Sequence, residues 1–234
     1  LCKVSDLDYI READGKLVIG AMTTKRAVED SELVKNKQPL LHAATLWIGH
    51  PQIRNRGTLG GSSAHGDPAA EYPAVALAVD AEMVVTGPNG AKTVKAADFF
   101  VTYLTTALEE ADILTEVRFP VMPAKTGWSI QEAARRHGDF AMTGVVSTVT
   151  VDGGKCSDAR IVLFAVGATP IRATAAEQAV IGQAPGEAVF EQAAGKVNDS
   201  IDEPLSDVHA SAEYRRDLAK TLARRALAEA ASRA

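Results

Sequence analysis

The stretch Trp47 to Asp80, WIGHPQIRNRGTLGGSSAHGDPAAEYPAVALAVD, decides how this chain is read. Its centre is Thr58-Leu59-Gly60-Gly61-Ser62-Ser63, preceded by Arg54 and Arg56. Adjacent glycines allow strained backbone angles and close approach to a ligand, and successive N–H groups can then converge on phosphate oxygens. Thr58, Ser62 and Ser63 add hydroxyl donors. The two arginines supply either positive charge for an anion or ordinary surface and structural contacts. A plain Gly-rich turn is the competing account of the glycines. The residues just beyond them sharpen the reading: Asp67 is a good N-cap and Pro68 suits a first helical position, so a helix is predicted over 68–79. Glu71, one turn inside, places a carboxylate where it can accept hydrogen bonds from sugar or ribityl hydroxyls. The spacing is neither G-x-G-x-x-G after a parallel strand nor G-x-x-x-x-G-K-[ST], so Rossmann and P-loop phosphate sites both lose support.

Upstream of this stretch, Asp14-Gly15 between 7–11 and 16–20 predicts a hairpin, Thr23 and Thr24 can cap a short helix, and the run from Pro39 to Ile48 has helical spacing that ends near Gly49. Downstream, Gly87-Pro88-Asn89-Gly90 predicts a second hairpin joining 82–85 to 92–95. Val121-Met122-Pro123 reads as a linker, giving two domains, 1–121 and 122–234. In the second, alternation around Val145, Val149 and Val151 followed by Asp152-Gly153-Gly154 predicts an antiparallel hairpin into 160–166. Tyr214, Leu218 and Leu222 mark the core-facing stripe of a final helix.

Composition closes off several classes. The 234 residues are 46% hydrophobic and 24% charged, with a formal net charge of −5, which suits a globular protein and argues against nucleic acid or anionic lipid as main partner. No apolar run reaches the roughly 18–20 residues that cross a bilayer, so a cytoplasmic location is expected. The two cysteines, Cys2 and Cys156, lie far apart, and a [2Fe–2S] cluster takes four thiolates, so the chain holds no such cluster alone. The five histidines show no i, i+4 ligand spacing, and no metal site is expected.

The run QIRNRGTLGGSSAHGDPAAEYPAVALAVDAEMVV (52–85) resembles the second flavin-binding motif of the FAD subunits of molybdenum hydroxylases, of the xanthine dehydrogenase and carbon monoxide dehydrogenase type. The similarity continues through ADILTEVRFP (111–120), EAARRHGDFAMTGV (132–145) and DVHASAEYRRDLAKTLARRAL (207–227), covering nearly the whole chain. The fold implied is α+β: a vanillyl-alcohol-oxidase-type FAD-binding domain, followed by a small domain with a three-stranded antiparallel sheet and helices. The resemblance implies that Thr58, Gly60, Gly61 and Ser62 hold the FAD pyrophosphate and that Glu71 binds cofactor hydroxyls. It places Leu114 against the isoalloxazine, where core strand packing is an equal account, and Asp139 and Phe140 on a loop near the other side of the ring. Gln131 and Ile48 are further carry-overs, while Arg135, Arg136 and His137 also suit an exposed turn. No catalytic acid, base or nucleophile is assigned.

One departure is that the family's earlier motif, A-G-G-x-S-L, is not found in this sequence, so residues of the natural protein are expected to be missing from it. The function implied is electron transfer: FAD collects electrons from [2Fe–2S] clusters and passes them to an external acceptor. The clusters and the molybdenum cofactor are expected on separate iron–sulfur and molybdenum-cofactor partner subunits. Two alternatives stay open, a stand-alone FAD-dependent oxidoreductase and a flavin-free assembly or scaffold subunit.

Overall fold

A computed structural model describes residues 1 and 4–234, so the reading of Cys2 lies outside the described residues. The chain forms two compact units, Leu1–Met122 and Pro123–Ala234, each considered by itself.

The first unit opens with a hairpin of β1 (Ile10–Ala13) and β2 (Lys16–Gly20). Asp14 and Gly15 both adopt positive φ, 51° and 71°, the tight two-residue turn that suits the twist of paired strands. Three short helices come next: α1 (Lys25–Asp30), α2 (Glu32–Lys37) and α3 (Pro39–Trp47). Thr24 caps the first by accepting from Ala27 N at 3.1 Å, Ser31 caps the second by accepting from Val34 N at 3.3 Å, and Pro39 starts the third. After a single turn, α4 (Pro51–Arg54), come α5 (Leu59–His65) and α6 (Glu71–Ala78). The second hairpin is β3 (Glu82–Gly87) with β4 (Gly90–Lys95). It leads into the turn α7 (Ala96–Phe99), a small pair β5 (Phe100–Thr102) and β6 (Thr105–Thr106), and the long β7 (Ile113–Pro120).

These strands form an antiparallel sheet in the order β1-β2-β7-β3-β4, with β7 at its centre. Leu17 and Ile19 sit opposite Phe119 and Val117, and Met83 opposite Val117, so one face of three strands is apolar and closed to water. A bulge at Thr115 shifts the side-chain parity of β7, which returns Leu114 to this same face opposite Val85. The helix α5 packs on this sheet against β2 and β7.

Two local expectations are corrected. The Gly-rich segment after Thr58 is the first turn of a helix, not a loop: Thr58 accepts from Gly61 N at 3.0 Å, and burial of Leu59 and Ser63 offsets the poor helix propensity of two glycines. The next helix begins at Glu71, three residues later than predicted. Asp67 instead closes a turn, its carboxylate accepting from Ala69 N at 2.8 Å and its carbonyl from Ala70 N at 3.0 Å. Pro73 explains the delay, since a helix started at Pro68 would carry a proline in its interior, without an N–H and against the preceding turn.

The second unit is a sheet in the order β11-β10-β9-β8, built from β8 (Thr126–Ala133), β9 (Thr143–Asp152), β10 (Lys155–Phe164) and the two-residue β11 (Ile171–Arg172). The expected three-stranded sheet is corrected to four, the two-residue β11 pairing with β10 as a short edge. Helices α8 (Thr174–Val180) and α9 (Glu187–Gly195) precede α10 (Ala212–Ser232), which lies along β8 and β9. The buried stripe of α10 is Ala219, Leu222, Ala223, Ala226, Leu227 and Ala230. Tyr214 is 49% exposed, so the expected stripe through Tyr214 and Leu218 is corrected by about one position of helix rotation. Small alanines bring α10 close to the sheet, and Gly127 is the point of closest approach, directly under the Ala230 carbonyl.

A methyl group at Gly127 would also fall 2.8 Å from the Arg233 carbonyl carbon. Gly127→Ala is therefore expected to cost about 1–3 kcal/mol by forcing α10 off the sheet. Gly195→Ala, with nothing within 4 Å of the added group, should be neutral or stabilising by up to about 1 kcal/mol. Denaturant unfolding of the two variants checks this ordering.

Candidate cofactor site

The site is organised by a strap between two chain segments. Beyond β2, Lys25 N donates to Gly57 O at 2.8 Å, Leu59 N to Thr23 O at 3.0 Å and Gly60 N to Ala21 O at 2.9 Å, with Thr24 and Thr58 paired as an antiparallel bridge. The first turn of α5 is thereby fixed to the end of a sheet strand. Its leading N–H groups are all occupied: Leu59 and Gly60 by the strap, Gly61 by the Thr58 hydroxyl, and Ser62 by the Thr58 carbonyl at 3.2 Å. Convergence of free N–H groups on an anion, the sequence-based expectation, gives way to a surface of hydroxyls and the positive helix end. Neither Gly60 nor Gly61 adopts positive φ. Gly60 is required for a different reason, because a methyl there would fall 2.6 Å from both the Cα and the carbonyl oxygen of Ala21. Gly61 is exposed, and a methyl there would meet only the Thr58 hydroxyl, at 2.7 Å.

Glu71 heads α6 with no capping side chain before it. It is 9% exposed, and burial pushes its carboxyl up to about 7, against the opposing pull of its own backbone N–H and of the Lys25 charge, with Asp67 raising it slightly further. Lys25 is equally buried, at 9%. Its stem crosses Gly57, where an added methyl would lie 3.3 Å from Cε, and its Nζ stands 5.8 Å from the centre of the Tyr72 ring. Burial lowers the Lys25 pKa, with Glu71 working against that shift. Tyr72 is fully buried and shares a 2.9 Å hydrogen bond with the Thr45 hydroxyl.

Arg54 belongs to the frame. Its guanidinium grips Glu29 at 2.8 and 3.3 Å and donates to the carbonyls of Ile48 and Gly49 at 3.1 and 3.2 Å, so it closes the turn before the strap. Arg56 is exposed. Thr58, Gly60, Gly61 and Ser62 thus share one helix start, and Glu71 the start of the next. Ile48 lies 6% exposed at the end of α3, and Leu114 is buried in the sheet core at 5%. In the second unit, Gln131 donates to Glu229 at 2.6 Å, which ties it to α10, whereas Asp139 and Phe140 lie on the exposed loop between β8 and β9, the Phe140 ring 71% exposed. Arg135 and Arg136 on the same loop are exposed.

Residues 1–122 match the family described as FAD binding domain in molybdopterin dehydrogenase, and residues 128–230 match the CO dehydrogenase flavoprotein C-terminal domain. The carbon monoxide dehydrogenase medium chain of Hydrogenophaga pseudoflava is 38% identical over 226 residues, covering 96% of this chain and 78% of that protein. The chain belongs to the FAD-binding medium subunits of the molybdenum hydroxylases. Another relative of this family, the 6-hydroxypseudooxynicotine dehydrogenase complex subunit alpha of Paenarthrobacter nicotinovorans, is 38% identical over 233 residues, 99% of this chain and 78% of that one. Among solved structures, the chain is similar to carbon monoxide dehydrogenase from Hydrogenophaga pseudoflava lacking the Mo-pyranopterin moiety, with a TM-score of 0.96 and 39% identity over 100% of this chain and 81% of that chain. Quinoline 2-oxidoreductase from Pseudomonas putida 86 gives a TM-score of 0.94 at 35% identity, over 99% and 80%. Among the described residues of this medium subunit, no helix is long and apolar enough to cross a membrane, and no group of three or more His, Cys, Asp or Glu is placed to hold a metal ion.

Sequence reasoning did not single out Lys25, which the strap places beside these candidate residues. The signal was available: a lysine in the first turn of a helix faces the positive end of the helix dipole, an unfavourable position that calls for another role.

Glu71 gives a pH prediction. A carboxyl raised to about 7 in the folded chain, above its ordinary value near 4.5, holds a proton more tightly folded than unfolded. Its contribution to stability is complete below pH ~4.5 and is lost as pH rises through about 7. Glu71→Gln should remove that loss, so the flavin-free variant should gain stability over the wild type as pH rises from 5 to 8; chemical denaturation at a series of pH values measures it.

Proposed function

We propose that this chain carries FAD within a hetero-oligomeric molybdenum hydroxylase, taking electrons from [2Fe–2S] clusters on one partner and delivering them to an external acceptor. A molybdenum-cofactor partner would oxidise the organic substrate. The observation that carries the reading is the pairing of an open, hydroxyl-rich helix start at Thr58–Ser62 with a buried carboxylate at the start of the following helix. The first unit is assigned to the vanillyl-alcohol-oxidase type, a reading supported by its antiparallel sheet packed with helices.

FAD, when bound, supplies the redox chemistry, since it accepts and releases electrons singly or in pairs. The chain binds and orients. Thr58 and Ser62 donate hydroxyl hydrogen bonds to pyrophosphate oxygens, and the Gly61 N–H can exchange the Thr58 hydroxyl for a phosphate oxygen at little cost, because that bond is local and exposed. Gly60 holds these groups in place by its contact with Ala21. Glu71 accepts from cofactor hydroxyls, a use that suits a carboxylate with few protein partners. Ile48 and Leu114 offer apolar surface to the ring system and exclude water. Asp139, Phe140 and Gln131 carry ring-proximal roles by their position in the family motif; Gln131 does so only if its amide is shared with Glu229.

Rapid mixing tests the division of labour. The assembled complex should reduce its flavin within turnover time when mixed with its organic substrate, and the FAD-loaded subunit alone should not. Rapid reduction in the isolated subunit would replace this reading by a stand-alone flavoenzyme. Gly61→Val should leave the folded subunit without flavin, since the isopropyl group would collide with the Thr58 hydroxyl and cover the open helix start; flavin absorbance per mole of folded protein reports it.

A further inference from the structure

Lys25 and Glu71 form an unusual pair. Both side chains are nine-tenths buried, and each feels the other electrostatically. Yet they make no ion pair: among the described residues, the Lys25 ammonium donates no hydrogen bond, and it stands 5.8 Å from the centre of the Tyr72 ring. The stem is buried while the ammonium at its end keeps access to solvent, so the charge is available to an anion from outside the fold. The backbone fixes where that anion lies. Lys25 N is bonded to Gly57 O, the stem runs across Gly57, and Thr24 pairs with Thr58, so the side chain emerges beside the helix start assigned to phosphate.

We propose that Lys25 is a further cofactor-binding residue, whose ammonium takes an anionic phosphate oxygen of the dinucleotide while Glu71 accepts from its hydroxyls. The inference rests on the reading that FAD occupies this site. A ligand with a polyol next to a phosphate satisfies both charges at once, the acceptor group with O–H donors and the donor group with an anionic oxygen. Lysine suits this place because it delivers a single point charge from a long apolar stem, which lies against Gly57 and Tyr72.

The test uses the full chain in its assembled complex, stripped of flavin and titrated with FAD and with riboflavin, which lacks phosphate. Lys25→Met should weaken FAD binding about 10- to 100-fold, the loss of one charged hydrogen bond, and leave riboflavin binding unchanged. The flavin-free variant should melt no lower than the wild type, because the ammonium holds no hydrogen bond or ion pair that the fold would lose and methionine keeps the apolar stem. Lys25→Gln, which keeps a donor without the charge, should show the same selectivity and serves if the methionine variant folds poorly. Unaltered FAD affinity in both variants would overturn the proposal, as would equal loss of FAD and riboflavin with a lowered melting point, the mark of a structural lysine. Gly61→Val separates the two levels: if it loses FAD while Lys25→Met does not, only the role of Lys25 falls, and if it keeps FAD, the cofactor lies elsewhere and the site itself falls with it.

Discussion

The main-chain strap between Ala21–Lys25 and Gly57–Gly60 is the constraint on which the site depends. It carries the end of a central sheet strand directly into the first turn of α5, so that a helix with two consecutive glycines is held in place by neighbours rather than by its own propensity. Thr58, Gly60, Gly61, Ser62 and Lys25 are all arranged from this junction. Thr58 is both a bridge residue and a helix cap, Gly60 is a contact with the strand end, and Lys25 begins a helix from the opposite side of the same bridge. The Arg54–Glu29 pair braces the turn that leads in.

Much of this was legible in the sequence, and the failures have identifiable causes. The hairpins were marked by Asp14-Gly15 and Gly87-Pro88-Asn89-Gly90, whose turn chemistry is local and survives any tertiary context. The helix start at Glu71 was misplaced because Asp67-Pro68 satisfies the rules for a cap, while Pro73, five residues on, vetoes them. The glycines at 60 and 61 suggested left-handed backbone, but one serves proximity and the other openness. The candidate residues Thr58, Gly60, Gly61, Ser62 and Glu71 could be named together because they fall within one continuous motif. Lys25 could not be joined to them, because its relation to them runs through strand pairing across more than thirty residues, which no local pattern displays. The stripe on α10 was misassigned because the largest apolar residues were taken as its centre, whereas the close packing there selects alanine.

Charge is used sparingly and asymmetrically. A surface carboxylate such as Asp152 is held below its usual range by the Lys125 ammonium in open solvent, where such pairs contribute little. Glu71 and Lys25 are the reverse case, two largely buried side chains that make no ion pair with each other. Binding sites commonly depart from the rules of stable packing in this way, because groups that bind a ligand must be left unsatisfied by the fold.

The contact between Gly60 and Ala21 has an evolutionary consequence. The two residues are thirty-nine positions apart, yet they share one small volume, and Gly60 cannot gain a side chain unless the strand end and the helix start separate. Ala21 thereby constrains the helix start although it presents no group to a ligand. In relatives, a larger residue at position 60 should appear only together with a remodelled strap, so that the two change as one heritable unit and a neutral drift through single substitutions is closed to that position.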